Sequence, residues 1–286
     1  MDAPDPDTDD ATHGIVTNMS SEQVSRATWV RAENAVVSTC LDHGHAVFLA
    51  VDEETLAAHA EESLETIRSF DRLDRAGGTD TAVFRADEDD RQAVLSALSV
   101  EDTEEPIPVH RVISWRARGI KRITTVGEGS WRYDSVPKQT ASRWFHEPNA
   151  ALKDAVEAAL APIPATGLFP VGEIEVETAD RGTVSLDATR IEMYPHQELI
   201  QEVYHFSDLE TVLVDTRTEE ITLDWRTYRS RAKSSLGRVV FGTLHRLREA
   251  PPDRLCPDDT EQFERLRDVL STMATQLEYG VEYREL

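Results

Sequence analysis

The amino-acid sequence predicts an α+β chain, and three observations predict it. Over residues 19–105, stretches with helical spacing alternate with short apolar runs, the pattern of an α-β-α-β-α module. Residues 106–165 then hold three runs rich in β-branched and aromatic residues, which mark a β-meander. Residues 166–286 pair further strand-like runs across turns and close on two long helical patterns, one basic and one amphipathic. No internal repeat is visible.

The elements follow in order. Residues 1–18 are acidic, Pro-bearing and almost free of large apolar side chains, so they read as a disordered tail. Ser20, with Gln23 at the third helical position, forms a capping box. Val24, Ala27, Val36 and Cys40 keep roughly helical spacing from there to Gly44. "HAVFLAV" (His45–Val51) is a buried strand, and Asp52 caps a second helix with Leu56, Ala60, Leu64 and Ile67 on one side. After Gly77 and Gly78 come the strand "TAVFRA" and a helix bearing Val94, Leu95 and Leu98, ending at the acidic linker "SVEDTEEPIP". The meander comprises "VHRVISW", "KRITTVG" and "WRYDSV", and Asn149 caps the helix that follows, with Leu152, Val156 and Leu160.

The loop "APIPATGLFPVG" marks the next boundary. Beyond it, "EIEVET" and "TVSLDATRIEMY" flank an Asp-Arg-Gly turn, and a short helix covers "HQELIQEVY". "LETVLVD" and "EITLDW" form another strand pair, ahead of a basic helix running from about Arg229 to Arg248. Asp258 with Glu261 opens the terminal helix, striped by Phe263, Leu266, Leu270, Met273 and Leu277.

Charge sets the environment. The chain of 286 residues has 54 acidic against 30 basic side chains, a formal net charge of −24, and only 4 of the basic ones are Lys. Scarce Lys and abundant carboxylates resemble proteins of salt-in halophiles, where a hydrated acidic surface stays soluble at a Debye length of about 3 Å or less. The acidity then reports solubility rather than a basic partner. Cys40 and Cys256 are too few and too far apart for a disulfide framework. The acidic N-terminus has no signal-peptide pattern and no apolar run approaches a bilayer span, so a cytoplasmic protein without a membrane partner is expected.

Catalytic motifs are sparse. "GEGSW" has Gly127 and Gly129 but lacks the third glycine of a dinucleotide fingerprint, no phosphate-loop lysine pattern occurs, and Ser130 is not flanked as in a nucleophile elbow. "CLDHGH" gathers Cys40, Asp42, His43 and His45, yet no second ligand pair completes a zinc site, and a helix end capped at Gly44 is the simpler reading. Glu198, Glu202 and His205 align along one helical side and match half of a carboxylate di-metal site, again without its other half. These two groups carry the alternative of a metal-dependent hydrolase. No cofactor is expected, and the chain reads as more non-catalytic than enzymatic.

Two basic segments stand out against the acidity. Arg111–Arg143 and Arg226–Arg248 together hold 15 of the 30 basic residues, and the second contains no acid. Arg binds phosphate through a planar fork and stacks on bases, contact-range interactions that survive in concentrated salt. The expected function is therefore a non-catalytic nucleic-acid- or nucleotide-associated protein of a halophile, with single-stranded nucleic acid or nucleotide as candidate partner. Trp115, Trp131 and Tyr133 would stack on bases, and Arg111, Arg116, Arg118, Lys121 and Arg122 would meet phosphate. On the basic helix, Arg231, Lys233, Arg238 and His245 would do the same. A structural or protein-interaction module docking through the terminal helix is the remaining alternative.

Overall fold

The computed structural model describes residues 11–18, 21, 23–73, 81–98, 119–137, 143–171, 174–178, 182–187, 190–195, 202–226 and 251–286. The chain divides into two compact units, Met1–Val171 and Gly172–Leu286. Each contains its own eight-stranded sheet, and the α+β class holds in both.

In the first unit, β1 (His13–Thr17) precedes α1 (Arg26–His43), β2 (Gly44–Val51), α2 (Glu53–His59), α3 (Glu61–Arg68), β3 (Asp71–Leu73), β4 (Ala82–Asp87) and α4 (Arg91–Leu98). Then come β5 (Ile120–Gly127), β6 (Arg132–Ser135), β7 (Arg143–His146), α5 (Ala150–Leu160) and β8 (Thr166–Pro170). The sheet order is β3-β4-β2-β5-β6-β7-β1-β8, with every neighbouring pair antiparallel. β2 pairs along its length with β5, so the expected N-terminal module and the meander share one sheet.

Several local expectations change. Residues 13–17, placed in a disordered tail, form a strand between β7 and β8, with Ile15 buried. The first helix is capped by Ser25 rather than Ser20. Ser25 accepts from the Thr28 amide, and the Thr28 hydroxyl accepts from the Ser25 amide, which satisfies two donors at once. The helix after Asp52 is two helices. Ala60 (φ −158°, ψ 66°) breaks the run, while Leu56, Leu64 and Ile67 still reach one core. Asp52 and Asn149 cap as expected, accepting from the amides of Thr55 and Leu152 at 2.9 Å each. That core joins Val36, Cys40 and Leu41 of α1 to Leu49 of β2, Ile123 of β5 and Val156 of α5.

The second unit comprises β9 (Ile174–Thr178), β10 (Gly182–Leu186), β11 (Arg190–Pro195), β12 (Glu202–His205), β13 (Leu209–Asp215), β14 (Glu220–Trp225), β15 (Arg254–Cys256), α6 (Thr260–Gln276) and β16 (Glu282–Glu285). Its order is β12-β11-β10-β9-β15-β14-β13-β16, antiparallel except for the parallel pair β13–β16. The expected helix over "HQELIQEVY" is corrected where it is described: Glu202–His205 is a strand, held by pairing with β11. The terminal helix is capped by Asp259 and buries Phe263, Leu266, Leu270 and Met273 in its own unit. The basic helix expected over residues 229–248 lies outside the described residues.

Candidate functional site

Strands β6 and β7 carry charge on both faces of the first sheet. Alternation sends Tyr133, Arg143 and Phe145 to the side of α1, and Arg132, Asp134, Trp144 and His146 to the opposite side.

The α1 side is sealed. Tyr133 is fully buried; it donates to Glu33 Oε2 at 3.1 Å and its ring centroid lies 4.7 Å from that of Phe145. The buried Arg143 places its guanidinium carbon 4.6 Å from the Trp29 ring centroid, and its Nη2 donates to Thr17 Oγ1 at 3.0 Å. Burial first, and the Glu33 carboxylate second, push the Tyr133 phenol and the Cys40 thiol well above their ordinary values. Desolvation pulls Arg143 downward. These groups tie β6 and β7 to α1.

The opposite side is different. Arg122 on β5 donates from Nε and Nη2 to Asp134 Oδ1 at 2.9 and 2.6 Å, and Thr124 donates to the same oxygen at 2.6 Å. Arg132 Nε lies 2.6 Å from Asp134 Oδ2, and His146 Nε2 lies 3.4 Å from it. Arg132 Nη2 is also 3.0 Å from His146 Nε2. Register explains the convergence: Thr124 faces Asp134, Asp134 faces Trp144, and Arg132 faces His146. The Asp134 side chain is 6% exposed, while Arg122 and Arg132 keep 14% and 18%, so the carboxylate is interior and both arginines are mostly buried around it. Chemically, this is a pair of cationic forks fixed by one carboxylate, an arrangement suited to an oxyanion.

The structure redistributes the expected site. Arg122 belongs to this cluster. Lys121 instead pairs with Asp52 Oδ2 at 3.0 Å. There the Thr55 amide, then the Thr55 hydroxyl and Lys121, lower the Asp52 carboxyl to about 2. Trp131 and Tyr133 are corrected from a stacking platform to core. Trp131 is 2% exposed and its indole lies over Gly127, where a Cβ would stand 2.2 Å from it. Arg111, Trp115, Arg116 and Arg118, and likewise Arg231, Lys233, Arg238 and His245, lie outside the described residues. Sequence reasoning missed Arg132, Trp144 and His146. The alternation of "WRYDSV" already separates Arg132 and Asp134 from Trp131 and Tyr133, but nothing local reveals which face α1 covers.

The proposed metal ligands do not gather where they are described. Cys40 is buried in the core, and Asp42 pairs with Arg91. Gly44 caps α1 as expected, in extended conformation (φ −107°), and opens β2. Residues Glu202–His205 form a strand, so the helical alignment expected of Glu202 and His205 does not hold. Among the described residues no group of three His, Cys, Asp or Glu side chains is placed to hold a metal ion. Among them, too, no helix is long and apolar enough to cross a membrane. In comparisons with protein-family models, curated proteins and solved structures, nothing matches this chain.

Proposed function

We propose that this is a non-catalytic nucleic-acid- or nucleotide-associated protein that engages phosphate through Arg122 and Arg132. The observation that carries the reading is the sharing of one buried carboxylate, Asp134, by the side chains of Arg122 and Arg132, which keep 14% and 18% of their surface exposed. A guanidinium has more N–H donors than Arg122 uses on Asp134, so the fork stays available while the carboxylate fixes its plane. Fixed donors lose little freedom on binding, and bidentate contact needs no long-range field. Both properties favour phosphate capture in concentrated salt, where the Debye length is about 3 Å.

The test is binding of a labelled single-stranded oligonucleotide and of a nucleoside triphosphate by the full chain in molar KCl. Arg122→Ala and Arg132→Ala should each weaken binding by about tenfold to a hundredfold, since a charge-assisted bond contributes about 1.5–3 kcal/mol. Arg122→Lys should not restore it, because an ammonium has no fork. Wild-type affinity in a folded Arg122→Ala/Arg132→Ala double variant would sink the reading.

A further inference from the structure

We propose that Trp144 is the base-stacking surface of this phosphate site, which makes the ligand a single-stranded nucleic acid with an unpaired base on the indole. The inference rests on the phosphate reading of Arg122 and Arg132 and adds the chemistry of the rest of the ligand.

Three observations converge on Trp144. Trp29, Trp131 and Tyr133 of the same unit are 2%, 2% and 0% exposed, so none offers a ring face, whereas Trp144 is only partly buried. Trp144 stands directly across from Asp134, on the face that bears Arg122, Arg132 and His146. Neighbouring strands lie about 5 Å apart, and β7, which bears Trp144, is one strand from β6 with Arg132 and two from β5 with Arg122, a backbone span on the scale of one nucleotide. On its other flank Trp144 faces Gly14 of β1. A Cβ at Gly14 would stand 3.6 Å from Trp144 Cδ1, an ordinary contact distance, so this edge of the indole packs against β1.

Chemistry selects the ligand class. An indole takes any base on its π face but needs that face presented edge-free, which a paired and stacked duplex denies it. Free phosphate would use the arginines and ignore the indole. Stacking is also insensitive to ionic strength compared with phosphate contacts, which suits the same concentrated-salt setting.

The experiment compares three labelled ligands of equal length in molar KCl: a single-stranded oligothymidylate, the same strand with abasic sites throughout, and a duplex. The proteins are wild type, Trp144→Leu and Trp144→Phe, each with its unfolding midpoint measured. Wild type should bind the oligothymidylate most tightly. Trp144→Leu should weaken that binding by about fivefold to a hundredfold, the range expected for one stacked base, and leave abasic binding unchanged, while Trp144→Phe keeps most of the affinity. Equal loss on the intact and abasic strands, or no loss on either, would overturn the stacking role, as would a duplex bound as tightly as the single strand. If wild type binds neither the intact nor the abasic strand, the phosphate reading itself fails and the stacking proposal with it. Loss of the base contribution alone leaves the phosphate reading standing.

Discussion

Glu33 is the most exacting residue in the first unit. It sits on α1 with no exposure, receives the Tyr133 hydroxyl on Oε2, and has no donor on Oε1 among the described residues. A buried carboxylate in that position is stabilised by what little it is given, so removing its donor costs more than an exposed hydrogen bond would. Tyr133→Phe should destabilise the fold by about 1–3 kcal/mol, read from denaturant unfolding near neutral pH. The same substitution has a pH signature. Burial and Glu33 raise the Tyr133 phenol well above its ordinary value, so the folded chain holds that proton more tightly than the unfolded one. Stability from this group is complete below the ordinary phenol value of about 10 and declines as pH rises above it. Tyr133→Phe should therefore flatten the alkaline fall in stability. An alkaline limb unchanged by the substitution would show that Tyr133 does not hold its proton against Glu33.

At the scale of elements, the β5–β6 hairpin separates two roles of glycine. Gly129 turns the chain (φ +82°) with no atom within 4 Å of where its Cβ would be, whereas Gly127 lies under the Trp131 indole. Gly129→Ala strains only the backbone, by about 1 kcal/mol. Gly127→Ala forces the indole out of a filled core, at about 1–3 kcal/mol or more. Thermal unfolding of the two variants should rank them in that order, and the reverse order would mean that Trp131 moves aside freely. The same hairpin shows what was legible in the sequence. β5 carries its preference in Ile123, Thr124, Thr125 and Val126, and Asp52 and Asn149 announce their helices through a local cap. β7, β8 and β1 are short and include Gly or Pro or no alternating apolar set, so their strand state comes from partners far along the chain. β12 follows the same rule, since pairing with β11 overrides the helical spacing of Glu202 and His205. The site was half legible. Arg122 lies in a visibly basic segment, but its partner Asp134 reads as an opposing acid, and the buried Tyr133 hydroxyl finds its acceptor in Glu33, a hundred positions earlier in the chain.

For the whole molecule, salt acts on two opposing terms, and their sizes decide the outcome. Exposed pairs such as Arg68–Glu53, Arg254–Glu220 and Arg284–Glu282 attract weakly, about 0–1 kcal/mol each, and salt weakens them further. The Asp134 cluster is interior and is screened much less. Against these stands the repulsion among 54 carboxylates that 30 basic groups cannot neutralise, at a net charge of −24. Folding brings those charges together, so their repulsion is greater in the compact chain than in the expanded one. Raising ionic strength from 0.01 M to 1 M shortens the Debye length from about 30 Å to about 3 Å and removes most of that repulsion. The repulsive sum exceeds the few exposed attractions, so stability should rise with KCl across this range. Unfolding followed by tryptophan fluorescence should give a midpoint that climbs steadily with KCl and a transition that broadens as salt is withdrawn. Potassium sulfate would confuse screening with surface exclusion, so the chloride series is the one that decides. A midpoint that is flat or falls with KCl would mean that local attractions outweigh the net charge, and the salt-adapted reading of the composition would then be wrong.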